Sequence, residues 1–167
     1  QDNAFHAAWS PSGMPSYHDS DGSHAMSEAQ IEETISGFVQ AARRCQEAGF
    51  DGVEIWAAYH GLVDQSSAPF AERVRQCQEA VSLARARGGV RGLYFPNVTG
   101  RISELEQRVE LAVDAGCKGV LLSPLVVGPD SVRWITERFG VAVLAHPALS
   151  GAYFHPDHGL RPEILLG

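Results

Sequence analysis

One residue of this sequence is best placed to move protons. His146 follows directly on the apolar run Val141-Ala142-Val143-Leu144 and Ala145, and an imidazole titrates near neutrality, where it serves as general base or acid. A backbone carbonyl at the rim of a sheet could equally hold such a ring. Asn97 and Thr99, just past Gly92-Leu93-Tyr94-Phe95, could donate hydrogen bonds to a substrate oxygen. They could also close an Asx or Ser/Thr turn. Ser123 ends a third apolar run, Gly119-Val120-Leu121-Leu122, in the same way. Other chemistry-bearing residues are less well arranged. His155 and His158 are metal-ligand types, but Pro156 and Gly159 place them in a loop with no third ligand nearby. His60 and Asp64 are separated by Gly61, which works against a rigid helical ligand pair. Glu54 lies inside an apolar strand pattern, where a carboxylate is expected to pair with an arginine. Cys45, Cys77 and Cys117 form no CxxC pair and read as small, reduced, buried residues. No GxSxG, phosphate-loop, GxGxxG or HExxH pattern occurs.

Regular elements must hold these residues. Residues 1–26, rich in Ser, Pro, Gly and His, show neither period and read as an irregular N-terminal segment. Ser27 with Gln30 forms a capping-box pattern, followed by Ile31, Ile35, Phe38, Ala42 and Cys45 at helical steps up to Gly49. Val53-Glu54-Ile55-Trp56 then reads as a strand. A second helix opens near Pro69, with Val74, Cys77, Val81 and Ala84 on one face, and stops at Gly88-Gly89. The strand near 92–96 follows. Ser103 with Glu106 suggests a capping box for a third helix that ends before Gly116. The strand near 119–123 leads to a helix opened by Pro129 and closed by Gly140, and the strand near 141–145 completes the series.

Apolar strands alternating with helices predict a parallel α/β fold in which helices cover one face of the sheet. The strands should stand in sequential, barrel-like order. At 167 residues the chain is too short for eight ordinary units, since a complete (β/α)8 barrel takes ~250 residues. The expectation is a partial (β/α)8 TIM barrel of about four parallel strands with helical crossovers. Chemistry in such folds gathers beyond the carboxyl ends of the strands. His146 should therefore face the same mouth as Asn97 and Ser123, within ~15 Å of them.

Composition narrows the function. Hydrophobic residues make up 44 % and charged residues 20 %, an ordinary globular mix. The net charge of −7 argues against a sequence-independent grip on nucleic acid or on an anionic membrane surface. No apolar run approaches the ~20 residues that span a bilayer. With reduced cysteines and no signal peptide, a cytoplasmic location is expected. The start without Met and the finish at Leu165-Leu166-Gly167 look like cut ends.

Two family resemblances appear along the chain. From about residue 60 to 167 it resembles the RuBisCO-like branch of the ribulose-bisphosphate carboxylase large-subunit superfamily. The resemblance rests on Pro69-Phe70-Ala71-Glu72-Arg73-Val74, Tyr94-Phe95-Pro96-Asn97-Val98-Thr99 and Gly128-Pro129-Asp130. It continues through Leu144-Ala145-His146-Pro147-Ala148-Leu149 and Pro156-Asp157-His158-Gly159. It implies Mg²⁺-dependent enolisation, as a lyase or isomerase, of a sugar or sugar-acid derivative that is often phosphorylated. It also places His146 at a family active-site histidine. From about residue 9 to 65 the chain is instead similar to FMN-dependent old yellow enzymes, through the run Phe38 to Ile55 and Leu62-Val63-Asp64-Gln65. Trp56 and Tyr59 stand where that family usually carries a His and a His or Asn for substrate binding. Trp56, Tyr59 and His60 are accordingly the candidate substrate-binding residues, and ordinary enone reduction is not expected of them.

The two resemblances meet at His60-Gly61-Leu62-Val63-Asp64-Gln65. The chain therefore reads as a junction of two barrel fragments, with segments 1–26, 27–65 and 66–167. RuBisCO-type sites carry a Lys and acidic tetrad at the end of the second strand, and Ala57, Ala58, Tyr59 and His60 occupy those positions here. The one lysine, Lys118, starts a strand at the opposite end of the barrel, and Pro147 replaces a phosphate-binding arginine of the carboxylases. Mg²⁺ favours carboxylate oxygens. This chain alone is thus expected to bind neither Mg²⁺ nor FMN and to be inactive by itself. Its open sheet edges suggest a homo-oligomer or a missing barrel half as partner. Alternative expectations are a flavin oxidoreductase fragment or a non-catalytic half-barrel that dimerises.

Overall fold

The computed structural model describes residues 8–14, 23–55, 69–88, 92–157 and 159. The chain divides into two compact units, Gln1–Trp56 and Ala57–Gly167.

In the first unit, β1 (Ala8–Ser10) and β2 (Ser23–Ala25) pair in parallel, Trp9 opposite His24. This corrects the reading of residues 1–26 as irregular throughout. The pairing is held by polar groups, including a Ser10–Ser23 hydroxyl contact and the Met26 N–H donating to the Ser10 carbonyl at 2.9 Å. A search for apolar periodicity cannot see such a pairing. The helix α1 (Glu28–Glu47) starts as its capping box requires. Ser27 Oγ accepts from the Gln30 N–H, and Gln30 Oε1 accepts from the Ser27 N–H. None of its residues is buried, and Ile35 and Phe38 are 50 % and 55 % exposed. Residues 53–55 take no regular secondary structure and join no sheet among the described residues, so the expected strand at 53–56 is not formed there. A strand needs a neighbour's row of N–H and C=O groups, and apolar character alone does not supply one. Glu54 is consequently exposed, not a buried carboxylate.

The second unit carries the helices α2 (Phe70–Gly88) and α3 (Ile102–Asp114), the strand β3 (Gly119–Leu122), and α4 (Pro124–Val127) and α5 (Asp130–Phe139). The strand β4 (Ala142–Ala145) and α6 (Ser150–Tyr153) follow. The anticipated capping box at Ser103 and Glu106 is absent. Arg101 takes the extended N-cap conformation, which draws both residues into the helix, and Glu106 pairs with Arg138 of α5 instead. The end of α3 matches its sequence signal. Gly116 adopts φ +86°, so the Cys117 N–H reaches the Ala112 carbonyl at 3.0 Å and the Gly116 N–H reaches Val113 at 2.8 Å.

β3 and β4 pair in parallel with Leu121 opposite Leu144, and α5 lies in the crossover between them. On the other side of β3, Asn97 forms a single parallel bridge to Leu121. The Leu121 N–H donates to the Pro96 carbonyl at 2.9 Å, and the Val98 N–H donates to the Leu121 carbonyl at 3.0 Å. The segment expected as a strand at 92–96 thus joins the sheet only at its end, where Pro96, lacking an N–H, can accept but not donate. The spatial order is residues 96–98, β3, β4, sequential and parallel. This is the α/β arrangement of a partial (β/α)8 barrel.

The burial pattern separates the two faces of this sheet. Val98, Val120 and Leu122 are fully buried in one core with Val74 of α2, Leu105 and Val109 of α3, and Ile135 of α5; Val143 packs against it. Side chains alternate across a strand, so Asn97, Leu121 and Leu144 belong to the opposite face. β3, flanked on both edges, is buried throughout. β4 is not: Leu144 is 44 % exposed. β4 has one strand neighbour among the described residues.

Candidate active site

The parallel register carries past the strand ends. The His146 N–H donates to the Leu122 carbonyl at 2.7 Å, extending the β3–β4 ladder by one step. His146 and Ser123 are therefore lateral neighbours, with backbones about one strand spacing, ~5 Å, apart. Across β3, the Ser123 N–H donates to Thr99 Oγ1 at 2.9 Å. Thr99, Ser123 and His146 form one row at the carboxyl ends of three chain segments. Below it, Asn97, Leu121 and Leu144 form a second row on the same face, with Asn97 about two strand spacings, ~10 Å, from the His146 segment.

The environments within the row differ. Thr99 and Ser123 are each 2 % exposed, whereas His146 is half-buried. Just after His146 the chain turns tightly, with the Ala148 N–H donating to the His146 carbonyl at 2.9 Å and Leu149 held at φ +69°. Asn97 Oδ1 accepts from the Thr99 N–H at 3.0 Å, so the Asx turn weighed from the sequence is formed. Thr99 is engaged on every polar atom of its backbone, since its carbonyl also accepts from Arg108 Nη1 at 3.2 Å. Arg108 is itself held over the Phe70 ring at 5.1 Å and by Glu104. Sequence reasoning weighed Thr99 only as a donor or turn former and missed that its hydroxyl joins two strand ends. The Asn-x-Thr spacing after a strand was the available signal.

Trp56, Tyr59 and His60 fall outside the described residues, as do Ala57, Ala58, Asp64 and His158. His155 Nδ1 accepts from the Asp157 N–H at 3.2 Å within its own loop. The three cysteines are free thiols. Tyr94 and Cys117 belong to the helix-side core. Burial pushes the Cys117 thiol up to about 11, with proximity to Cys77 adding to the effect. Burial raises the Tyr94 phenol more strongly, and a hydrogen bond to Cys77 contributes. Both belong to the helix-side core and not to the polar row.

Magnesium is a poor match to the described residues. No group of three or more His, Cys, Asp or Glu side chains converges among them, and the polar row offers neutral oxygens and one imidazole where Mg²⁺ favours carboxylates.

Comparison with known proteins supports the RuBisCO-like resemblance. The chain is 35 % identical over 117 residues to ribulose bisphosphate carboxylase-like protein 1 of Rhodopseudomonas palustris, covering 70 % of this chain and 30 % of that protein. The chain is homologous to RuBisCO-like proteins. It is 34 % identical over 111 residues to 5-methylthioribulose-1-phosphate isomerase of Rhodospirillum rubrum, covering 66 % of this chain and 29 % of the relative. It is 31 % identical over 134 residues to 2,3-diketo-5-methylthiopentyl-1-phosphate enolase of Bacillus cytotoxicus, covering 78 % and 32 %. The RuBisCO-like protein of Alicyclobacillus acidocaldarius superposes with a TM-score of 0.52 at 31 % identity, over 62 % of this chain and 27 % of that one. The dimeric archaeal Rubisco of Hyperthermus butylicus does so with 0.52 at 30 % identity, over 58 % and 24 %. The chain thus spans about 30 % of the length of the curated relatives it matches. Residues 2–73 also match the NADH:flavin oxidoreductase / NADH oxidase family.

Proposed function

We propose that the second unit is the strand-end part of an enolisation site acting on a phosphorylated keto sugar, in the isomerase or enolase manner of its relatives. The observation that carries this is the row Thr99, Ser123 and His146, with Asn97 beside it, at the carboxyl ends of parallel segments. In this reading His146 exchanges a proton with the carbon next to a carbonyl, while Asn97 and Ser123 line the mouth. The Mg²⁺ implied by the relatives finds no suitable donors among the described residues. The chain alone is accordingly read as a ligand-binding but inactive part of such a site. Cytoplasmic location and homo-oligomeric assembly belong to the same proposal. The exposed Leu144 on β4 and the dimeric archaeal neighbour support assembly. No helix among the described residues is long and apolar enough to cross a membrane.

Nuclear magnetic resonance tests this directly. Addition of 5-methylthioribulose 1-phosphate should shift the His146 ring and the Asn97 and Ser123 amides, while amides of Val109 and Ile135 in the helical layer stay fixed. No shifts, or shifts confined to the helical layer, would overturn the proposal.

A second reading rests on the flavin-family match to residues 2–73. There the first unit is a segment of an FMN-dependent oxidoreductase, joined near residues 60–65 to the RuBisCO-like part. Purified protein carrying a yellow flavin absorbance band would favour it.

A further inference from the structure

We infer that Asn97 meets the ligand solely as a hydrogen-bond donor, through Nδ2, and that Thr99 is the positioning residue that fixes this polarity. A carboxamide offers one acceptor and one donor end. The acceptor end is already engaged, because Asn97 Oδ1 takes the Thr99 N–H at 3.0 Å, and only an oxygen can accept that proton. The orientation of the amide is therefore set by chemistry. Nδ2 donates to no other group among the described residues. Asn97 is half-buried, and no fully buried side-chain N or O among the described residues lacks a partner, which leaves Nδ2 as the end available to a ligand.

The face to which Asn97 belongs is fixed by the sheet. Val98 is fully buried in the helix-side core, and Asn97, its neighbour in an extended segment, points the opposite way, beside Leu121. Thr99 cannot easily shift to release the amide. Its hydroxyl holds the Ser123 N–H at 2.9 Å and its carbonyl holds Arg108. The turn and the substrate contact, alternatives in the sequence, are two ends of the same side chain. The inference rests on the proposed ligand site and specifies its recognition: the group that meets Asn97 is an oxygen acceptor, best one that bears negative charge.

The test is the substitution Asn97→Asp. A carboxylate still accepts the Thr99 N–H, so the turn survives, but the donor becomes a second acceptor with negative charge. Asn97→Ala loses both the turn and the donor without adding repulsion. Dissociation constants for 5-methylthioribulose 1-phosphate and for inorganic phosphate are measured calorimetrically on the full chain, with thermal melts to confirm folding. The expected result is binding of the sugar phosphate weakened at least tenfold in the Asp variant and less in the Ala variant. Equal weakening with inorganic phosphate assigns the acceptor to a phosphate oxygen. Weakening with the sugar phosphate alone assigns it to a keto or hydroxyl oxygen. If the wild-type chain binds but the Asp variant binds equally well, Asn97 only forms the turn and the inference falls. Failure of the wild-type chain to bind either probe overturns the functional reading itself, and the inference with it.

Discussion

Replacing Thr99 by Val isolates the bond that ties two strand ends together. The two side chains have nearly the same shape, so packing in this site, which is 2 % exposed, is retained. What disappears is the acceptor for the Ser123 N–H, now bound at 2.9 Å. A buried donor without a partner costs ~1–3 kcal/mol. At a central value of ~2 kcal/mol, the folding equilibrium of the second unit shifts about 30-fold. Thr99→Ser provides the control: it keeps the hydroxyl and deletes one methyl group, which costs ~1 kcal/mol. The order of stability should be Thr, then Ser, then Val. Urea denaturation gives the free energies, and amide hydrogen exchange at Ser123 locates the effect, because its protection should fall in the Val variant and hold in the Ser variant. A Val variant as stable as the parent, with Ser123 exchange unchanged, would refute the reasoning.

Two further predictions concern packing and ionisation. Gly119→Ala should destabilise the second unit by ~1–3 kcal/mol in urea denaturation, because the added Cβ would overlap the Phe95 ring and lie 3.0 Å from the Ala142 carbonyl oxygen; an unchanged midpoint would show that Phe95 moves freely. Raising the pH from 9 to 11 should lower stability, because the unfolded chain ionises Cys117 near 9.0 while the folded chain holds its proton up to about 11. The unfolded state then binds fewer protons, so the contribution is complete below 9 and lost above 11. Cys117→Ala should flatten that decline, and alkylation of the native chain should reach Cys45 well before Cys117.

Much of the second unit was legible because its signals are local. Gly116 and Gly140 mark helix ends through their backbone freedom, and both adopt positive φ. Val120 and Leu122 of β3 and Val143 of β4 are apolar because they face the helix-side core. Pairing was less legible, since it depends on a neighbour. The Val53 run is apolar apart from Glu54, yet only the Val141 run has a partner strand among the described residues. Ser10 and Ser23 pair through polar groups that no hydrophobic period registers. At the site, the positions of His146, Ser123 and Asn97 followed from strand order alone. The hydroxyl of Thr99 did not, because a bond across 24 residues has no local signature.

The composition of the polar row also explains what this part of a site can contribute. Enolisation places negative charge on an oxygen, and the described rim answers with neutral donors and one imidazole. A single preorganised donor at such an oxygen is worth ~3–4 kcal/mol of barrier when removed from a complete active site, a small share of what enzymes supply. Binding is less demanding, because a neutral donor improves the fit of an oxygen acceptor whether or not charge develops on it. Leu121, the buried lateral neighbour of Asn97, gives that contact one apolar flank. Under the proposed function, binding is therefore the property to measure on this chain, and the polarity of Asn97 is read through affinity.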